Sequence, residues 1–477
     1  MRSFLNIFNR KKNTSSPKVI VLGIDGAPPH LILDEWLDDL PNIKSLLSHS
    51  IYGKMESSVP PSTIVAWTSF LTGKDPSFFD VYSYTYKDDH NQQRLSNSRS
   101  VKEKRIWDYL DHLKKRSILV NVPLTYPITS LDGIMIGGFL SPDLNDSSVF
   151  PPAVRKMIEK RYGKEYLFDV GSGLAGYKNL PPAEMLSKAK AMTDQQLTLL
   201  KKFVQDEKWD FAMAVMLGSD RIQHTMWKYH DPKHRRYPGP NEYQNSLKEY
   251  YQYLDAEIAS IKEMLDDNTY LIIASDHGFT RMDGRINLND WLIREGYLVL
   301  KEAPSEQQKL DFKNVDWSKT RAYAVGAYFG RIYFNRKQRD PLNGIIEEAD
   351  VPVLQKEIYE KIRNIADDQG QPLRVLPFFP QDIYKGPYRD NGPDLYLYFD
   401  DLKWGVNNDV GNEGLHNLAT TKGSDDAGHA PYGMFILHHR SLESRRDDDI
   451  KLIDVLPTMF KIMEVPIPPG LSGRILI

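Results

Sequence analysis

Aspartate and histidine recur in this chain at the ends of short apolar runs, and that placement is the first sign of chemistry. Asp25-Gly26 follows the run 19–24. Asp220, with His224 four residues later, follows 211–217, and Asp276-His277-Gly278 follows 270–274. His429, within Gly428-His429-Ala430-Pro431-Tyr432-Gly433, comes just before 434–437. Three carboxylates and three imidazoles form a donor set suited to two divalent ions of zinc type, which accept mixed nitrogen and oxygen ligands. Each residue alone has a plainer role: Asp25 as a helix cap, Asp220 with His224 as an i,i+4 surface pair, His277 and His429 as hydrogen-bonded core histidines. Caps and surface pairs do not readily place Asp or His four times at the mouth of one predicted sheet. A hydroxyl nucleophile accompanies them. Pro60-Pro61-Ser62-Thr63 leads into Ile64, Val65, Trp67, Phe70 and Leu71, spaced as a helix that Thr72-Gly73 closes. Thr63 then stands at a helix N-terminus, where backbone N–H groups and the helix dipole favour a phosphate; an ordinary N-cap is the alternative.

The elements that must position these residues follow from the apolar pattern. The runs 19–24, 117–122, 134–136, 211–217, 270–274 and 434–437 have the length and composition of buried strands, and helix-period stretches such as 183–205 and 241–265 lie between some of them. This pattern predicts an α/β fold with a mostly parallel central sheet and helices on both faces. Ligands in such sheets bind beyond the carboxyl ends of the strands. Residues 18–285 and 419–477 are read as the two parts of a catalytic core. Residues 286–418 break the alternation, with strands at 331–334 and 394–399, a helix at 353–365 and Pro- and Gly-rich connections, and are read as an inserted α+β cap. In 1–17, Phe4, Leu5, Ile7 and Phe8 lie beside Arg2, Arg10, Lys11 and Lys12. That segment is expected to be a flexible basic tail, with contact to a membrane surface as the alternative.

Composition removes other classes. The 477 residues include no cysteine, which excludes disulfides, thiolate catalysis and Cys-based zinc or iron–sulfur sites. Lys+Arg number 61 against 64 Asp+Glu, a net charge of −3, so the chain has no electrostatic footprint for nucleic acid as a main partner. No apolar run reaches the ~18–20 residues that span a bilayer and no secretory h-region is visible, so the expectation is a soluble, cytoplasmic protein. Gly171-Ser172-Gly173-Leu174-Ala175-Gly176 matches a dinucleotide fingerprint literally, but Pro181-Pro182 intervenes before any helix that could hold a pyrophosphate, so the segment reads as a loop. Walker A, H-E-x-x-H and G-x-S-x-G patterns do not occur.

The ordered series Asp25-Gly26, Thr63 nine residues before Thr72-Gly73, Asp220-x-x-x-His224, Asp276-His277-Gly278 and Gly428-His429 resembles the alkaline phosphatase superfamily. Within it the type I phosphodiesterase/nucleotide pyrophosphatase branch is closest. More narrowly the chain resembles predicted phosphohydrolases/phosphomutases of bacteria and archaea, through 60–73, Asp220 to His224 with Trp227, 287–292 with Gly296, and 454–458. The resemblance runs from Lys18 to the C-terminus and implies two metal sites, zinc with manganese as the alternative. Asp220, His224 and His429 would hold one ion; Asp25, Asp276, His277 and Thr63 the other. It also implies in-line attack by Thr63 Oγ, a phospho-threonine intermediate, and its release by water, with two ions about 3.5–4 Å apart serving the entering and leaving oxygens. The expected activity is a two-metal phosphohydrolase, a phosphodiesterase or phosphatase, acting on a small phosphorylated substrate. A phosphomutase with the same machinery and a catalytically silent phospho-ligand binding protein are the alternatives.

Two features depart from the family pattern. Nucleotide pyrophosphatases carry an Asn shortly after the nucleophile, and this chain has none between Thr63 and Gly73. Phe78-Phe79-Asp80 replaces their His-Gly step. Nucleotide specificity is therefore not implied. Tyr82, Tyr84 and Tyr86 follow at strand spacing, as an aromatic wall for substrate or as one face of a packed strand.

Overall fold

The computed structural model describes residues 16–87, 93–171, 176–337, 339, 344–419 and 425–477. Most of the basic tail (1–15) and the middle of the glycine motif (172–175) lie outside the described residues. β1 (Lys18–Ile24) shows why the apolar runs become buried strands. Its alternate side chains enter two different layers, Ile20, Leu22 and Ile24 on one face and Val19 and Val21 on the other. The same sheet contains β2 (Ser50–Glu56), β3 (Ser117–Val122), β4 (Gly133–Gly137), β5 (Val149–Phe150), β6 (Phe211–Met216), β7 (Thr269–Ala274) and β8 (Tyr432–His438). Their spatial order is β2-β8-β7-β1-β6-β3-β4-β5, with the short strands Arg445–Arg446 and Ile450–Lys451 beside β2.

Pairings from β7 through β4 are parallel. β8 runs antiparallel to both β7 and β2, and β5 antiparallel to β4. The orientation of β8 matters for the site. Because it runs the other way, the residues just before it emerge at the same edge as the residues just after β1, β6 and β7. β2 and the two-residue β5 are not among the predicted apolar runs; in β2, Tyr52, Lys54 and Glu56 are only partly buried, so its sequence alternates instead of reading as a continuous apolar run.

Helices cover both faces. α1 (Thr63–Thr72) and α5 (Leu452–Ile462) share one layer, where Trp67, Phe70 and Leu71 pack with Leu456, Met459 and Phe460. α2 (Pro182–Asp206), α3 (Gly218–His230) and α4 (Ser246–Lys262) cover the other face through Leu199, Ile222, Met226 and Ile258. A second, seven-stranded sheet is built from residues 284–417. It has its own core, in which Leu354, Ile358 and Ile362 pack with Leu395, Leu397 and Phe399. The chain leaves and re-enters the core through two antiparallel strands, Gly278–Arg281 and Ala427–Ala430. A separate aromatic cluster, Tyr82, Phe329, Tyr384, Tyr396 and Tyr398, joins this second sheet to the core, and the Tyr384 hydroxyl donates to the Val59 carbonyl at 2.6 Å.

Candidate active site

Register brings the acidic residues to one edge. Ile24 of β1 lies opposite Met216 of β6, and Gly23 opposite Ala274 of β7, so Asp25, Asp220 and Asp276 leave the sheet side by side. Gly26 then turns the chain away with φ +72°, its N–H donating to Asp276 Oδ1 at 3.2 Å. Asp220 and His224 are one turn apart on the same face of α3. His429 arrives from the opposite direction on the strand Ala427–Ala430, opposite Phe279. Thr63 opens α1, preceded by Ser62 in extended conformation.

All seven residues singled out by type and spacing converge, and each is 0 to 3 % exposed. His224 Nε2 lies 3.3 Å from His429 Nε2 and 3.4 Å from Asp220 Oδ1, and His429 Nε2 is 3.6 Å from the same oxygen. His277 Nε2 lies 3.3 Å from Asp276 Oδ2, 3.7 Å from Asp25 Oδ1 and 3.5 Å from Thr63 Oγ. One ligand atom each from Asp220, His224 and His429 falls within 4.8 Å of the others, and the same holds for Asp25, Asp220 and His277. Asp220 thus belongs to both groups, bridging His224 and His429 on one side and Asp25 and His277 on the other.

The far side of each donor is fixed by a hydrogen bond. The imidazole Nδ1 atoms of His224, His277 and His429 face the carbonyls of Ala427 (2.9 Å), Gly278 (3.0 Å) and Pro61 (2.6 Å). Carbonyls only accept, so each Nδ1 donates and each Nε2 faces inward. Trp67 Nε1 donates to Asp25 Oδ2 at 2.8 Å, and Arg221 Nη1 to Asp220 Oδ2 at 2.6 Å. The other oxygens, Asp25 Oδ1, Asp220 Oδ1 and Asp276 Oδ2, are buried and make no hydrogen bond of good geometry. Buried carboxylate oxygens left in this state are costly unless a cation meets them. Together with three inward imidazole nitrogens they fit divalent ions with mixed O and N ligands.

Charge crowding perturbs these groups without a metal. Burial, then Asp220, pushes the Asp25 carboxyl well above the usual range, and burial, then Asp25, does the same to Asp276. Burial pulls Asp220 up as well, but His224 and Arg221 outweigh it and hold that carboxyl below its ordinary value. Burial lowers His277 to about 4, and burial with His277 and His224 lowers His429. Burial acts the same way on His224, but Asp220 outweighs it and raises the imidazole. Burial disfavours charge at Asp25, Asp276, His277 and His429, whereas at Asp220 and His224 the opposite charge alongside outweighs burial and favours the ionised forms.

The structure adds residues that spacing did not mark. Phe279 packs edge-on to His224 with ring centroids 4.7 Å apart, and lies 5.4 Å from His429 and 5.7 Å from His277. Tyr328, in the turn between the second-sheet strands Ala322–Gly326 and Gly330–Phe334, stacks on His224 (5.0 Å, 21°) and His429 (4.7 Å, 27°), and its hydroxyl reaches Asp425 Oδ1 at 3.1 Å. Lys178 pairs with Asp425 at 2.9 Å. The one available signal was Arg221, a cation directly after Asp220 in sequence; Tyr328 carries none, since its partners are about 100 residues away. The tyrosine trio does not form one wall. Tyr82 joins the aromatic cluster, Tyr84 meets Phe139 edge-on, and Tyr86 is exposed. The strand there covers only Thr85–Lys87, too short to align all three.

Comparison with known proteins agrees with this architecture. Human ectonucleotide pyrophosphatase/phosphodiesterase 5 superposes with a TM-score of 0.55 and 11% identity over 96% of this chain and 97% of that one. Its murine counterpart, solved alone and as an inactive form in complex with AMP, gives a TM-score of 0.53 at 11% identity over 95% and 96%. At that identity the likeness is one of fold, the alkaline phosphatase-like α/β architecture with its central sheet between helices. The sequence has no significant match among curated proteins. The family described as type I phosphodiesterase / nucleotide pyrophosphatase matches residues 19–425, a span that takes in Asp25, Thr63, Asp220, His224, Asp276 and His277. By that match, across most of its length, the chain belongs to the type I phosphodiesterase/nucleotide pyrophosphatase family.

Proposed function

We propose that this protein is a two-metal-dependent phosphoric ester hydrolase, a phosphodiesterase or phosphatase, that works through a phospho-threonine at Thr63. The observation that carries the reading is the set of three buried carboxylate oxygens without hydrogen bonds, facing three imidazole Nε2 atoms beside the Thr63 hydroxyl. Asp220, His224 and His429 would hold one divalent ion, and Asp25, Asp276, His277 and Thr63 the other, with zinc matching the donor mix best and manganese second. Such ions, when bound, supply Lewis acidity to the entering and leaving oxygens of phosphoryl transfer.

The chain's own groups do the rest. Thr63 Oγ loses its proton and forms a bond to phosphorus as the ester P–O bond breaks and the alcohol leaves protonated; water then attacks phosphorus, the Thr63 Oγ–P bond breaks, the phosphate product is released and Thr63 Oγ regains a proton. The N-terminus of α1 presents backbone N–H groups to the phosphoryl oxygens. Burial of all seven residues keeps bulk water from the reacting atoms. Substrate contacts come from the 284–417 region, where Tyr328 already lies over the imidazoles. The AMP bound by the murine neighbour supports nucleotide esters as the first class to assay.

The test is a panel of phosphate mono- and diesters with zinc-loaded protein, alongside Thr63→Ala and Thr63→Ser. Thr63→Ala should keep metal content near two per chain while turnover falls by at least ~10³-fold, and Thr63→Ser should retain measurable activity. A Thr63→Ala protein with bound metal and near-full turnover would refute the phospho-threonine route. Labelled water separates hydrolysis, which places the label in released phosphate, from an intramolecular phosphomutase, which does not.

A further inference from the structure

Arg221 is 4 % exposed, and each of its three nitrogens donates to a carboxylate. Its Nε and Nη2 donate to the two oxygens of Asp169 at 2.7 and 2.8 Å, and its Nη1 donates to Asp220 Oδ2 at 2.6 Å. The guanidinium lies against two rings, with its central carbon 4.8 Å from the Phe139 centroid and 4.4 Å from that of Tyr177. Asp169 and Tyr177, which flank the glycine motif in sequence, thus both meet the residue beside Asp220.

We infer that Asp169 and Arg221 are a positioning pair that keeps Asp220 competent as a metal ligand. A guanidinium prefers to meet a carboxylate with two parallel N–H groups. Asp169 occupies that two-donor edge, and Asp220 receives a single bond on Oδ2. Its Oδ1 therefore stays free of hydrogen bonds and faces His224 and His429. Without Asp169 the fork is released, can turn onto Asp220, and would take up the oxygen an ion needs. The two rings hold the guanidinium plane and oppose that rotation. Asp169 is thus a residue that preserves a ligand by diverting its competitor. The inference rests on the metal-site reading above, and a zinc titration separates the two.

The experiment uses metal-free full-length protein, titrated with zinc against a chromophoric chelator. Wild type binding two zinc ions per chain supports the metal-site reading; wild type binding none refutes that reading and this inference with it. Asp169→Asn removes one acceptor and the charge that hold the fork, and Arg221→Lys keeps the cation but cannot span Asp169 and Asp220 together. Each is expected to weaken one of the two zinc sites about 10–100-fold, the range seen when groups that orient metal ligands are lost. Circular dichroism identifies which variants are folded, and either folded variant decides the matter. Wild-type zinc affinity in a folded Arg221→Lys would show that charge alone suffices, and unchanged or tighter binding in a folded Asp169→Asn would show that the fork does not compete. Either result overturns the positioning role while leaving the two-metal site standing.

Discussion

Gly26 is the residue at which backbone conformation and ligand placement meet, and Gly26→Ala puts both at risk. Its φ of +72° lies in the left-handed region, where an L side chain costs about 1–2 kcal/mol. A Cβ there would sit 2.4 and 2.7 Å from Cε2 and Cδ2 of Phe279. Carbon atoms in good contact are about 3.5–4.0 Å apart, so the ring must retreat by roughly 1 Å, an overpacking that costs about 1–3 kcal/mol. The expected loss of stability is therefore about 2–5 kcal/mol. The functional effect follows from where Phe279 stands. Its ring lies against His224, His277 and His429, and displacing it pushes on all three imidazoles. A misplacement of that size costs about 10²-fold in turnover. Urea unfolding of metal-free protein gives the stability, and steady-state turnover of the zinc-loaded enzyme gives the function. Pairing Gly26→Ala with Phe279→Leu should recover part of the turnover, because the clash is relieved while the backbone cost remains. Gly26→Ala with stability within about 0.5 kcal/mol of wild type and full turnover would refute this reasoning, since surface-like tolerance is incompatible with the contact.

Further outcomes are expected. Trp67→Phe removes the 2.8 Å hydrogen bond to Asp25 Oδ2 in a fully buried layer and should weaken zinc binding about 10–100-fold; chelator competition showing wild-type affinity would count against it. In the metal-free protein burial and neighbouring carboxyls push Asp25 and Asp276 upward, so these groups keep protons at a pH where an exposed aspartate has lost them. Zinc must displace those protons, so affinity should rise with pH up to the raised values, and calorimetric enthalpies should differ between buffers of different ionisation heat; buffer-independent enthalpies would contradict this. Chelation should abolish turnover and lower the melting temperature, because an ion that binds only the folded chain stabilises it by about 2.7 kcal/mol at a hundredfold excess over its Kd. Restored zinc should reverse both, and a melting temperature indifferent to chelator would argue against metal bound to the native state.

The candidate site residues were readable because their positions depend on local rules. A buried strand announces itself as an apolar run, a parallel α/β sheet gathers its strand ends at one edge, and Asp25, Asp220 and Asp276 each follow such a run. The i,i+4 spacing of Asp220 and His224 fixes a shared helix face before any packing is known. Thr63 at the start of α1 follows from the helix period after two prolines. His429 was less secure on those rules, since β8 is antiparallel and only its reversed direction carries the residues before it to the ligand edge.

Local sequence, then, determined the residue types, the strand and helix periods, and which strand ends bear the candidate ligands. The tertiary structure decided which atoms of those residues are free. Trp67, Arg221 and Gly26 each take one carboxylate oxygen and leave the other; Ala427, Gly278 and Pro61 each fix an Nδ1 and turn an Nε2 inward. Tyr328 and Asp169 reach the site from separate segments of the chain. Periodicity describes how a residue sits relative to its own neighbours in sequence. Arg221 and Gly278 adjoin the residues they hold; the other partners lie 42 to 368 residues away, are chosen by how the layers pack, and are encoded by no pattern within one segment.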